Sequence, residues 1–219
     1  MKYFFSLYTL PTVFVFLVIF VKIIEVFAHI SFAQFGVIPL SFQGFWGIFL
    51  FPLIHGSWIH LFSNLVSFII LSAFLFYTYH SVAYIVFFVA YLIPGLFTWF
   101  IGNPFSVHIG ASGIVYAFSA FMIFLGFLKK QRTVLAISFI VLFLQTGIVW
   151  GMIPQNAAIS WETHLGGFII GSFLAYFFKD FVFVPFSYAA KQKYSPQSST
   201  DTTIEFTYTV RKHTKNYIE

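Results

Sequence analysis

The sequence predicts an all-α membrane protein, a bundle of six transmembrane helices with a first loop that lies in the membrane interface. Three observations carry this expectation. The 219-residue chain is 60% hydrophobic and only 8% charged, too little charge to cover a water-soluble domain of this length. Apolar runs long enough to cross a bilayer recur along it. Its cations gather at alternate ends of those runs, the pattern that orients a multispanning chain.

The first run covers about residues 8–30. Lys2 precedes it as a cation precedes a signal peptide, but the run is too long for a typical signal core and further spans follow, so it reads as a retained helix. Lys22 and Glu25 near its outer end are spaced to pair on one face or to snorkel. The next stretch, 31–56, is apolar and aromatic yet broken by Gly36, Pro39, Gly44, Gly47 and Pro52. A lipid-exposed loop has no partners for its backbone in hydrocarbon. Short, partly helical pieces in the interface are therefore expected, where Trp46 and the phenylalanines are at home. Five more spans are expected at about 57–79, 82–101, 112–128, 133–150 and 163–179, with short polar or glycine-containing breaks between them.

Residues 1–180 thus read as one six-span core and 181–219 as a cytoplasmic tail. The tail opens as a flexible linker, "KQKYSPQSST", and then "TIEFTYTV" alternates at strand spacing. A strand at 203–210 is expected only where a partner or a second copy supplies an edge.

Six spans put both termini on one side, with the loops after the second and fourth. Lys2, Lys129, Lys130, Arg132, Lys179 and the five basic residues of the tail all fall on that side. The loops 31–56, 102–111 and 151–162 contain no lysine or arginine. The termini are therefore expected in the cytoplasm and these loops outside. The net charge of +5 follows this distribution, so it points to a membrane surface and away from nucleic acid. With no cysteine, disulfides, thiolate nucleophiles and cysteine-based metal sites are excluded.

Polar side chains inside spans are expensive, which makes them the places to look for function. Counted from the cytoplasmic ends at about 1.5 Å per residue, Ser112, Asn64 and His164 lie about 22–25 Å up and His60 about 30 Å. Against a hydrocarbon core of about 30 Å, all four fall in the outer part of the membrane. His60 and Asn64 share one helix face. A serine, a histidine and a His–Asn face at one level supply a nucleophile, a base and neutral oxyanion donors, the parts of acyl transfer.

No carboxylate sits at that level. Glu162 precedes His164 by two residues and points away from it on a common helix, so a Ser–His dyad is expected in place of a triad. His55, His60 and His164 lack the carboxylates or cysteines that usually complete a metal site, and no metal or other cofactor is expected. Histidines 29, 80, 108 and 213 fall at span ends or in the tail and are expected to be solvated or interfacial. A serine in a membrane helix is most often bonded back to its own helix, and glycines such as Gly110, Gly113, Gly166, Gly167 and Gly171 serve helix packing. Packing and catalysis agree here, because helices touching through glycines bring Ser112 towards His164.

At these residues the sequence resembles the rhomboid family of intramembrane serine proteases. "HGSWIHLFSN" matches the family's second-span pattern and contributes His55, His60 and Asn64. "GASGIVY" matches the fourth-span Gly-x-Ser-Gly motif with Gly110, Ser112, Gly113 and Tyr116. "HLGGFIIG" matches the sixth-span motif with His164, Gly167 and Gly171. The resemblance covers about residues 1–180 and rests on three motifs in the family's order. It implies that Ser112 attacks the scissile carbonyl and His164 takes its proton. The Ser112 N–H, His60 and Asn64 would form the oxyanion hole, Tyr116 would pack beside His164, and His55 would play a supporting polar role.

The implied substrates are single-span membrane proteins cut near the outer face of a lipid bilayer. The implied location is a bacterial cytoplasmic membrane; the oligomeric state is not encoded. One departure stands out. Many bacterial members carry Trp-Arg in the first loop, where this chain has Trp46 and Gly47. Two rivals predict different sequences. A non-cutting relative usually lacks the serine or the histidine. A transporter needs polar residues at several depths, whereas the inner halves of spans four and six read "SAFMIFLGFL" and "GSFLAYFF".

Overall fold

A computed structural model describes residues 2–154 and 160–181. It is all-helical over those residues, with α1 (Lys2–Ala28), α2 (Phe42–Leu50), α3 (Trp58–Thr78), α4 (His80–Ile101), α5 (Ser112–Lys129), α6 (Arg132–Leu144) and α7 (Trp161–Phe177). Single 3₁₀ turns occupy Ala33–Phe35, Phe51–Leu53 and Trp150–Met152. The helices α1, α3, α4 and α5 are each long and apolar enough to cross a bilayer. The expected tail strand at 203–210 lies outside the described residues.

Helix α5 is apolar on every side, as a helix enclosed by its neighbours must be, and it forms the axis of the bundle. It packs on α3, α4, α6 and α7, most extensively on α7. Phe68, Phe87 and Phe118 from α3, α4 and α5 meet within the inner core, with Phe14 of α1 tilted onto Phe68 at 4.7 Å between ring centroids. At the cytoplasmic end, Lys130 takes a left-handed conformation (φ 53°) that stops α5. The Lys129 ammonium donates to the Lys179 and Phe181 carbonyls at 2.8 and 2.7 Å, tying the end of α5 to the segment that follows α7.

The first loop is folded. Ser41 caps α2 by accepting from the Gly44 N–H at 2.9 Å, a contact of the kind that contributes about 1 kcal/mol. Gly47 lies directly on the Gly36 backbone, where any side chain would collide. Phe42, Trp46 and Phe49 are exposed on α2, an aromatic face suited to headgroup depth. Val37 and His108 exchange backbone hydrogen bonds, and the Trp99 indole donates to the Ser41 carbonyl at 2.9 Å. The loop is thereby tied to α4 and to the 102–111 segment.

Two expectations are corrected. The fifth span, expected at 133–150, is helical only over Arg132–Leu144, about 20 Å of rise. Beyond Gln145 the chain turns, through Thr146 and Gly147, into the Trp150–Met152 turn. His108, expected at a solvated position, is only 4% exposed. Its ring nitrogens bond Ser106 and Ser160, each at 2.8 Å, so it joins the 102–111 loop to the start of α7. The neighbouring Glu162 oxygen lies 4.0 Å from it. Burial holds His108 below its ordinary pKa, while the Glu162 carboxylate pulls the other way.

Candidate active site

The outer end of α3 begins at a serine cap, Ser57 accepting from the His60 N–H at 3.1 Å. This starts the helix where His60, Ser63, Asn64 and Ser67 fall on one face, and all four line a cavity of about 550 Å³. Asn64 is buried, and its Nδ2 donor has no hydrogen-bond partner among the described residues. His55 lies just before α3, 1% exposed, its ring edge-on to His60 at 5.0 Å. Its Nε2 accepts the Ala111 N–H at 3.2 Å, which requires a neutral ring. Burial, helped by the His60 ring and the Lys22 cation, pushes its pKa down to about 3 against the pull of the Leu53 carbonyl.

Gly110 leads into α5 with φ +114°, a conformation L side chains avoid. A Cβ there would meet the His60 ring at 2.8 Å, so glycine is required for both the turn and the close approach. Ser112 is the first residue of α5, and as first-turn amides its N–H and that of Gly113 have no acceptor inside the helix. This contrasts with Ser72, Ser119, Ser138 and Ser172, each bonded to a carbonyl three or four residues back. Ser112 has no such carbonyl, and its side chain lines the cavity.

His164 faces the same cavity from α7. Its Nδ1 bonds the Gly151 carbonyl at 2.8 Å; a carbonyl only accepts, so Nδ1 carries the hydrogen and Nε2 is left basic. The Tyr116 ring stacks on the imidazole, with centroids 4.2 Å apart and planes 5° from parallel. Gly113 and Gly167 bring α5 and α7 together, since a Cβ on Gly167 would strike the Gly113 carbonyl. Gly171 repeats this one turn inward against Ala117, while Gly166 faces Phe97 of α4. No hydrogen bond joins Ser112 to His164 among the described residues. Glu162 is turned to His108, and the group orienting His164 is a backbone carbonyl.

Gly151 had no sequence signal beyond being a glycine in a loop, although a Cβ there would collide with the Tyr116 hydroxyl. Gln145, Ser63 and Ser67, which also line the cavity, were likewise not singled out. Ser63 and Ser67 recur on the His60–Asn64 face and were findable by that spacing. Gln145 enters only because α6 stops early.

A family model described as "Rhomboid domain" matches residues 43–181. Uncharacterized proteins of Mycobacterium bovis and Mycobacterium tuberculosis are 34% identical over 151 residues, 64% of this chain and 62% of theirs. One of Mycobacterium leprae is 29% identical over 164 residues, 71% of this chain and 65% of its own. The chain therefore spans less than two thirds of the length of these curated relatives.

Proposed function

The chain belongs to the rhomboid family of intramembrane serine proteases, and on that premise we propose that it is a serine endopeptidase acting through a Ser112–His164 dyad. The observation that carries the reading is the fixed tautomer of His164. With Nδ1–H held by the Gly151 carbonyl, Nε2 is a base in the cavity that Ser112 enters. Ser112 Oγ attacks the scissile carbonyl carbon as its proton passes to His164 Nε2. The resulting oxyanion is met by Asn64 Nδ2, His60 and the Ser112 N–H, donors of the kind that stabilise tetrahedral intermediates. Collapse breaks the C–N bond, and His164 returns the proton to the leaving amine. Water then attacks the acyl ester with its proton taken by His164, and the acid product leaves with Ser112 restored.

Asn64 supports this assignment, because it lines the same cavity as Ser112 and His164 and its side-chain amide can donate. His55, Gly110, Gly113, Tyr116, Gly167 and Gly171 are assigned supporting roles through the contacts given above. Residues 1–180 form the protease core in this reading. Substrates would be single-span proteins, presented as a locally unwound segment through the cleft of about 110 Å³ between α3 and α6, where Ser67 and Gln145 line both cleft and cavity.

The absence of a Ser112–His164 hydrogen bond favours one rival, a client-binding protein that does not cut. Catalytic hydrogen bonds often tighten only with substrate bound, so a direct test is needed. A fluorophosphonate probe is expected to label the detergent-solubilised wild type but neither Ser112→Ala nor His164→Ala. Equal labelling of Ser112→Ala, or none of a folded wild type, would move the rival ahead. Both termini are assigned to the cytoplasm. In this cysteine-free chain, an impermeant thiol reagent should reach Phe105→Cys from outside and Gln131→Cys only after the membrane is opened.

A further inference from the structure

We propose that the buried Lys22–Glu25 pair of α1 is a positioning device for Ser112, acting through the backbone and imidazole of His55. Lys22 Nζ and Glu25 Oε2 lie 3.1 Å apart, and the residues are 9% and 6% exposed. Charges within a membrane helix are costly, and as a source of stability a buried pair is commonly no better than apolar residues of its size. Its use is therefore sought in what else the two groups hold.

Both groups reach out of α1. Lys22 Nζ also donates to the His55 carbonyl at 2.9 Å, and Glu25 Oε1 accepts the Phe32 N–H at 2.7 Å. Phe32 and His55 stand at opposite ends of the first loop, and the 31–56 segment contains no charged residue of its own. One ion pair thus grips both ends of the loop. From His55 the connection continues through Nε2 to the Ala111 N–H at 3.2 Å, and Ala111 immediately precedes Ser112. Phe51, in the same stretch, accepts the Gly110 N–H at 2.8 Å. Helix α1 packs on α3 and on the Phe51–Leu53 turn, so its influence on the start of α5 runs through this segment. Burial, then the His60 ring and the Lys22 cation, keep the His55 ring neutral, which preserves Nε2 as the acceptor.

This inference rests on the protease reading for its effect on labelling, but its structural half is measurable without activity. In the full-length protein in detergent, Lys22→Met/Glu25→Met and Lys22→Arg are compared with wild type. Three quantities are read: melting temperature, fluorophosphonate labelling rate, and hydrogen exchange of a peptide spanning His108–Ser112. The double variant is expected to melt at or above the wild-type temperature. It should label about tenfold more slowly or worse, as misplaced reacting groups do, and exchange the Ala111 amide faster. Lys22→Arg should recover most of the rate.

A double variant that labels and exchanges as wild type does overturns the proposal. If the double variant does not fold, Glu25→Gln, equal in shape, should show a smaller slowing and faster exchange, and unchanged values for it are equally fatal. If wild type itself never labels, the protease reading fails, and the Ala111 exchange alone decides the positioning.

Discussion

Two walls of one cavity are built to different standards. On the α5–α7 side, Gly113, Gly167 and Gly171 let backbone rest on backbone, and Tyr116 stacks on His164. On the α3–α6 side, α6 packs chiefly on α5. It is pinned at its middle by Ser138 donating to the Met122 carbonyl at 2.7 Å, and a cleft separates its outer end from α3. Close packing transmits small displacements and tolerates few changes. Ser112 and His164, the proposed nucleophile and base, are thus held where the bundle is tightest, while the opening proposed for a substrate lies where it is loosest.

The largest effect is expected from breaking the tight wall. Gly167→Val sets a branched side chain against the Gly113 carbonyl and must part the helices, so labelling should be lost and stability should fall by about 1–3 kcal/mol or more. A melting curve and a labelling assay on one preparation check both. Asn64→Ala removes a donor and leaves the wall intact. Peptidase turnover should drop by about 10²-fold or more, with a melting temperature close to wild type.

A smaller effect is expected from acid, through His55, which bonds the start of α5. Its pKa falls from 6.5 to about 3 on folding, so the unfolded chain binds the proton more readily. Stability from this group is fully present above about pH 6.5 and is lost as pH falls towards 3. Melting temperatures measured across that window should decline less steeply for His55→Gln than for wild type. The smallest effect belongs to the loose wall. Phe143 on α6 is 79% exposed, and Phe143→Ala should change stability by no more than about 0.5 kcal/mol, again by melting. A large loss there would show α6 to be as firmly held as α7 and remove the contrast.

The sequence by itself determined the class of the protein. Apolar run lengths placed the long helices, because a bilayer core demands a minimum rise. The spacing of His60 and Asn64, and the glycines around Ser112 and His164, marked the residues that share the cavity, because helical periodicity fixes faces. What only the tertiary structure decided are contacts between segments far apart in the chain. Apolar content alone ran α6 on to residue 150, whereas the chain turns at Gln145 and brings the Gly151 carbonyl to His164. His108 stood at a span end and read as solvated, but the first loop and the start of α7 close over it. Spacing allowed Lys22 and Glu25 to pair, yet gave no sign that they reach His55 and Phe32. Backbone carbonyls and amides are the same at every residue, so no pattern of side chains announces which of them will face a base or a lysine.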